Sequence, residues 1–213
     1  MSRRDQHAPA SPRTEPALRP RHLSDPRTMR AVAHPVRLAL LDALTLHQPL
    51  TATEAGELIG ETSTTCSFHL RMLAKYGFVE EAGQAPGRRR PWRLTHFGFT
   101  TGGRNAQDAE TNAAAASLET VLWDSWLDRL AAFRMRRHRL GSGADRYVHG
   151  HENLVFVTPD EAERLVEDVQ EVIDRHRSRL GDRAQRPAGS MPMEMLLFTF
   201  PFDDMGFGAE AAA

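Results

Sequence analysis

The sequence predicts a mainly α chain with a small β component, and three observations carry that expectation. Apolar side chains recur on a helical period through most of the 213 residues. Two strand-like runs flank a Gly/Pro loop near residues 79–95. A second pair of short apolar runs, 153–157 and 195–200, brackets another helical segment. The expected order is a disordered tail at 1–22, a compact unit at 23–100, a long helix within 105–140, and a strand-helix-strand region at 150–205.

Residues 1–22 are rich in Pro, Arg, Ser and His and nearly empty of apolar side chains. Such a segment cannot bury enough surface to offset its ordering entropy. Residues 26–46 carry Met29, Val32, Ala33, Val36, Leu40, Leu41 and Leu44 on a helical period, with Pro35 expected to kink or split the segment. A short helix over 53–59 follows, then the turn Gly60-Glu61-Thr62. Helix, short Gly-containing turn, helix is the spacing of a helix-turn-helix.

The second helix, within residues 62–79, has two unlike faces. Cys66, Leu70, Leu73 and part of His69 fall on one side. Ser63, Thr64, Ser67, Phe68, Arg71 and Lys75 fall on the other, with no carboxylate among them. An ordinary solvated helix mixes both signs of charge. A helix that lies in a DNA groove keeps carboxylates from phosphate and offers short hydrogen-bonding side chains to base edges. Thr62 or Ser63 suits the N-cap, and Gly77 the left-handed C-terminal position with Phe78 folding back. A plain amphipathic core helix would show the same apolar stripe. Downstream, Val79-Glu80-Glu81 and Trp92-Arg93-Leu94-Thr95 read as strands around a loop holding Arg88, Arg89 and Arg90. That loop reads as a wing, since guanidinium suits phosphate and narrow minor grooves; a solvated basic hairpin tip is the alternative. The expected DNA contacts are Ser63, Thr64, Thr65, Ser67, Phe68, His69, Arg71, Lys75, Arg88, Arg89 and Arg90.

Two segments carry a family resemblance. The run from Asp25 through Met29, Val32, His34, Pro35, Arg37 and Leu38 to Leu41 resembles the opening helices of ArsR-type winged-helix repressors. Thr64-Thr65-Cys66-Ser67-Phe68-His69-Leu70, with Leu73, Gly77 and Val79, resembles that family's recognition helix. The resemblance covers about residues 23–100. It implies a dimeric bacterial transcription factor, usually a repressor, that leaves its operator on binding an effector. Metal-sensing members carry a Cys-x-Cys pair before the recognition helix or His/Asp ligands on the long C-terminal helix. Here the helix before the turn has neither Cys nor His, and Cys66 is the sole cysteine. A lone thiol cannot build a thiolate metal site within one chain, and Cys66 reads as a small buried hydrophobe. His149-x-His151 is a weak metal signal. No metal is expected.

A helix over residues 105–139 should present Leu118, Val121, Leu122, Trp126, Leu130 and Phe133 along one stripe, with Trp123 and Leu127 beside it. In the resembled family this is the dimerisation helix; packing on the chain's own C-terminal part is the alternative. Arg134, Arg136, Arg137 and Arg139 close it, where cations suit the helix dipole. Residues 153–157 read as a buried strand. Thr158-Pro159-Asp160-Glu161 is a strong helix start. Ala162, Leu165, Val166, Val169, Val172, Ile173, His176 and Leu180 form its stripe, and residues 195–200 a second strand. This region is either a structural brace or an effector pocket built from Trp123, Trp126, Phe156, Met193, Met195 and Phe198.

The net charge of −1 hides an asymmetry: residues 26–98 sum to +3 and residues 105–213 to −7. Only the front of the chain is suited to nucleic acid. Lys75 is the sole lysine, and the arginine and alanine bias fits a GC-rich genome. One cysteine fits a reducing compartment, no apolar run is long enough to span a membrane, and the N-terminus lacks a signal-peptide core. A cytoplasmic location is therefore expected. Nucleotide, hydrolase and zinc-protease motifs do not occur, so neither catalysis nor a cofactor is expected. The expected partners are double-stranded DNA, a second copy of the chain and a small-molecule effector, with no membrane. A winged helix that binds protein rather than DNA is the competing reading.

Overall fold

The computed structural model describes residues 20–83, 90–101, 108–139 and 148–200. It is an α-rich chain with two small sheets. Strand β1 (Arg21–Leu23) precedes helix α1 (Pro26–Val32), whose N-cap Asp25 accepts from the backbone N–H of Arg27 and Thr28. Pro35 splits the first helical segment: α1 ends at Val32 and α2 (Pro35–His47) starts with that proline in its first turn. Proline fits there because the first-turn N–H has no helical partner.

Helix α3 (Ala52–Ile59) opens on a capping box in which Thr51 accepts from Glu54 N–H and the Glu54 carboxylate accepts from Thr51 N–H. It ends at Gly60 with φ +76°. Helix α4 (Ser63–Lys75) follows after two residues, capped by Thr62. The turn is tight. The N–H groups of Gly60 and Glu61 both donate to the Gly56 carbonyl, at 2.9 and 3.0 Å. A Cβ on Gly56 would lie 2.5 Å from the Glu61 carbonyl oxygen. Gly56 is thus the residue that lets α3 and α4 meet so closely. At the other end of α4, Gly77 takes φ +72° and Phe78 N–H donates to Leu73 O at 3.0 Å, closing the helix as its sequence predicts.

Strands β2 (Val79–Glu81) and β3 (Trp92–Leu94) pair antiparallel, with Val79 opposite Leu94. Leu50, just ahead of α3, exchanges both backbone hydrogen bonds with Trp92 (3.0 and 2.8 Å), so the wing base is tied to the helical unit. Strand β4 (Phe99–Thr101) pairs parallel with β1. Sequence places Arg21 and His22 in the tail and 96–103 in a turn-rich connector. Neither short run shows a period, and it is the pairing across 78 residues that makes them strands.

Helix α5 (Ala109–Arg136) is about 42 Å long at 1.5 Å per residue and ends in a 3-10 turn, Arg137–Arg139. Its first half lies on α1, with Ala114 and Leu118 in the core beside Met29 and Val32. Helix α6 (Pro159–Asp174) opens on the capping box expected at Thr158 and Glu161. Helix α7 (Ser178–Gly181) and a 3-10 turn, Arg183–Gln185, follow. The strands expected at 153–157 and 195–200 are absent. These runs have no ladder partner among the described residues, and Phe156 is fully exposed. An apolar run becomes a strand only when its backbone groups find a partner, which local sequence does not reveal. The stripe of α6 has no buried residue.

Replacing Gly56 with Ala is expected to destabilise the chain by about 1–3 kcal/mol, the cost of forcing a methyl against fixed backbone. Urea unfolding that leaves the midpoint unchanged would show that the α3–α4 turn has room to relax.

Candidate nucleic-acid interface

Helix α4 is held by its inner face. Cys66, Leu70 and Leu73 are wholly buried beneath α2, α3 and β2. Burial pushes the Cys66 thiol up, with a smaller push from Glu61, so it stays protonated and acts as a packing group. The helix has no acidic residue in its first turn and Lys75 in its last.

The opposite face is open. Ser63, Thr64, Arg71 and Lys75 are exposed, Ser67 is half-buried, and the Phe68 ring stands 55% exposed. One edge of that ring meets His69 at 5.1 Å between centroids, and the rest stands in solvent beside hydroxyls and cations. Arg71 Nε donates to Ser67 O at 3.1 Å, which anchors the guanidinium one turn along the helix. Thr65 is committed to the cap: its N–H donates to Thr62 Oγ1 at 3.1 Å and the two hydroxyls lie 2.9 Å apart.

His69 departs from the expected contact set. Only 8% exposed, it faces inward, and its ring lies 4.6 Å from that of His34. A helix residue at the edge of the apolar stripe can turn either way, and here the ring packs on His34 at the α2 N-terminus. His34 Nδ1 accepts from Val36 N–H at 3.2 Å, which requires the neutral imidazole. Both histidines are held below the usual 6.5. Burial is the main cause for each, followed by Arg37 at His34, and by His34 then Arg37 at His69. Glu61 opposes these effects at both rings.

Of the wing arginines, Arg88 and Arg89 lie outside the described residues. Arg90 is exposed and pairs with Glu81 at 3.0 Å across the hairpin base, while Arg93 pairs with Glu80 at 2.7 Å. An exposed pair such as Arg90–Glu81 is worth about 0–1 kcal/mol, little enough for a phosphate to displace. Arg21, counted by sequence with the tail, is folded in. Its Nη1 donates to Tyr76 O at 2.6 Å and its guanidinium sits 5.1 Å over the Phe78 ring.

The stripe expected on the long helix divides in two. Leu118 is fully buried in this chain's own core, and Val121 and Leu122 pack against it. That half is covered by α1, whose packing partner sequence does not name. Trp126 lies against Phe198, Phe133 is half-buried, and Leu130 is 44% exposed. Of the pocket expected from the C-terminal aromatics, Trp123 stacks on Phe198 at 4.2 Å, but Phe156, Met193 and Met195 are exposed.

Sequence reasoning missed a charged knot on α5. Arg129 donates to Asp42 Oδ2 on α2 at 3.0 Å, to Ser125 Oγ at 2.7 Å and to both Glu194 oxygens. Asp42 and Glu194 lie 87 and 65 residues from Arg129, so no local spacing could reveal them. Among the described residues no three His, Cys, Asp or Glu side chains gather in a metal-binding cluster. The His149 and His151 rings lie 6.2 Å apart. Among the same residues no helix is long and apolar enough to cross a membrane.

Residues 32–82 match the family described as Helix-turn-helix domain. The match runs from the end of α1 through α2, α3 and α4 to just past β2. Comparison with curated proteins finds no match. With the β2–β3 hairpin beside that unit, the fold is an α+β winged helix, and the matched segment is its helix-turn-helix, which suggests a DNA-binding regulator.

Protonating His34 removes the α2 cap acceptor. Because both histidines are depressed, their contribution to stability is complete above pH 6.5 and is lost as pH falls from there through their folded-state values. The unfolding free energy is expected to drop as pH falls below about 6.5. His34→Asn, which keeps a cap acceptor without titrating, should make that drop shallower; an unchanged pH profile would remove His34 from the account.

Proposed function

We propose that the protein is a homodimeric transcriptional repressor of the ArsR-like winged-helix type, acting in the cytoplasm on a pseudo-palindromic operator. The observation that carries this reading is the outer face of α4, where exposed Ser63, Thr64, Phe68, Arg71 and Lys75 stand together without a carboxylate. Ser63 and Thr64 sit at the helix N-terminus, whose N–H groups and dipole favour a phosphate. Ser67 and Arg71 lie one and two turns on, at the depth where base edges are read, and Phe68 offers its ring to a thymine methyl. Lys75 and the wing arginines Arg88, Arg89 and Arg90 serve the backbone or minor groove.

One such unit reads a half-site, so a second copy is required to place two recognition helices about 34 Å apart. The second half of α5 supplies a surface for it: Leu127 is 50%, Leu130 44% and Met135 76% exposed on a helix whose first half is already packed. Helix α6 offers further apolar side chains, Leu165 and Val172 exposed and Val166, Val169 and Ile173 half-buried. Repression is the usual action in the family that residues 23–100 resemble.

The reading is tested by fluorescence anisotropy of the full chain on the duplex upstream of its own gene and on a scrambled duplex, at two salt concentrations. Selective binding that weakens with salt is expected. Equal, weak binding to both duplexes would overturn the reading in favour of a protein-binding winged helix. Arg71→Ala should lose about 1–3 kcal/mol on the selected duplex and much less on the scrambled one. Equal loss on both would reassign Arg71 to a phosphate. Leu127→Glu with Leu130→Glu should shift the sedimenting species from dimer to monomer, and an unchanged mass would move the dimer contact off α5.

A further inference from the structure

A cavity of about 450 Å³ lies between α2 and α5, closed on a third side by the β1–β4 sheet and the end of the wing hairpin. Its walls are mainly apolar, with Leu41, Phe78, Phe99 and Trp126 prominent among them, and its volume suits a drug-sized molecule. Asp42 and Arg129 stand together at the α2–α5 end. There a single guanidinium serves two carboxylates, Asp42 and Glu194, so that end carries an excess of one negative charge. At the opposite end the Arg21 guanidinium is satisfied by the Tyr76 carbonyl at the C-terminus of α4 and by the Phe78 ring. His96, the remaining titratable group on the wall, is engaged with Thr95 Oγ1 at 3.1 Å. The cavity is therefore polarised: anionic where Asp42 on the wall and Glu194 behind it share Arg129, apolar along its body, and cationic at Arg21 beside Phe99.

We propose that this cavity binds a small apolar or aromatic molecule carrying one protonated amine, with the amine at Asp42 and the apolar body running toward Phe99. The Asp42 side chain is half-exposed at the cavity end, so a second cation can reach it; desolvation, opposed by Arg129 and reinforced by Glu194, holds its carboxyl above the usual range. Such a ligand touches α2, on which the DNA-reading helices are packed, and α5, the helix assigned to the dimer. Its effect on DNA binding rests on the regulator reading; its binding does not.

The probe is dansylcadaverine, which joins a naphthalene ring to an alkylamine, set against 5-(dansylamino)pentanoate, which ends in a carboxylate. Dansyl emission is followed with the full chain. Saturable binding of the amine at least ~10-fold tighter than the carboxylate is expected, equivalent to about 1.4 kcal/mol. Asp42→Asn should erase that preference while circular dichroism stays unchanged, and Leu41→Trp should fill the cavity and abolish binding of both probes. No saturable binding, equal affinity for the two probes, or a preference that survives Asp42→Asn would each overturn the proposal. Duplex binding is measured on the same preparation without probe. A chain that binds the amine but no DNA keeps the site and loses the regulator reading; a chain that binds DNA but neither probe loses the site alone.

Discussion

Cys66, Leu70 and Leu73 lie wholly inside the core, and this one packed face fixes which side chains α4 can turn outward. Each fully buried leucine contributes about 1.5–3 kcal/mol, so rolling α4 by one position would cost more than any surface contact returns. With the roll fixed, a 3.6-residue period leaves Ser63, Thr64, Phe68, Arg71 and Lys75 no choice but solvent. The turn that sets the angle of α4 depends in turn on Gly56, where the Glu61 carbonyl occupies the space a Cβ would need. Packing thus does the positioning, and the outer side chains are free to be chosen for what they meet.

The same economy shapes the supports around α4. The wing hairpin is tied to Leu50, Gln48 Oε1 accepts from Leu94 N–H at 2.7 Å, and Thr95 Oγ1 donates to Gly77 O at 2.7 Å. These bonds hold the wing base to both ends of the helix-turn-helix, so the β2–β3 hairpin base and the recognition helix are coupled. Histidine at position 34 caps α2 and also meets His69 from α4, which links the protonation of one side chain to the seating of another helix. Away from this unit the packing thins. Helix α6 and the flanking extended runs present Leu154, Phe156, Leu165, Val172 and Met195 to solvent. Exposed apolar surface of that extent is a mark of an interaction surface.

Elements set by local rules were legible. A break at Pro35, a cap at Thr62 or Ser63, the left-handed Gly77 and the Thr158–Glu161 capping box all follow from residues within one turn of each other, and the structure resolves the first as a split and the second as Thr62. The inner face of α4 was legible because its period is clean. What escaped was non-local. Strands β1 and β4 exist through each other, Arg129 finds Asp42 and Glu194 across the chain, and Leu118 is claimed by α1. The two apolar runs around α6 misled for the same reason, since composition proposes a strand but only a partner makes one. His69 misled because an edge position is resolved by its neighbour, His34, which the period does not contain.

The central claim is that the fixed outer face of α4 reads DNA sequence, and that two copies read it together. Its most direct test is selection of bound duplexes from a randomised pool by the full chain, followed by sequencing of the recovered DNA. The account predicts an inverted repeat whose half-site centres lie about one helical turn apart, roughly 10 base pairs, or a whole multiple of it. Recovery of duplexes with no enriched sequence, or of a single motif with no symmetric partner, would contradict it.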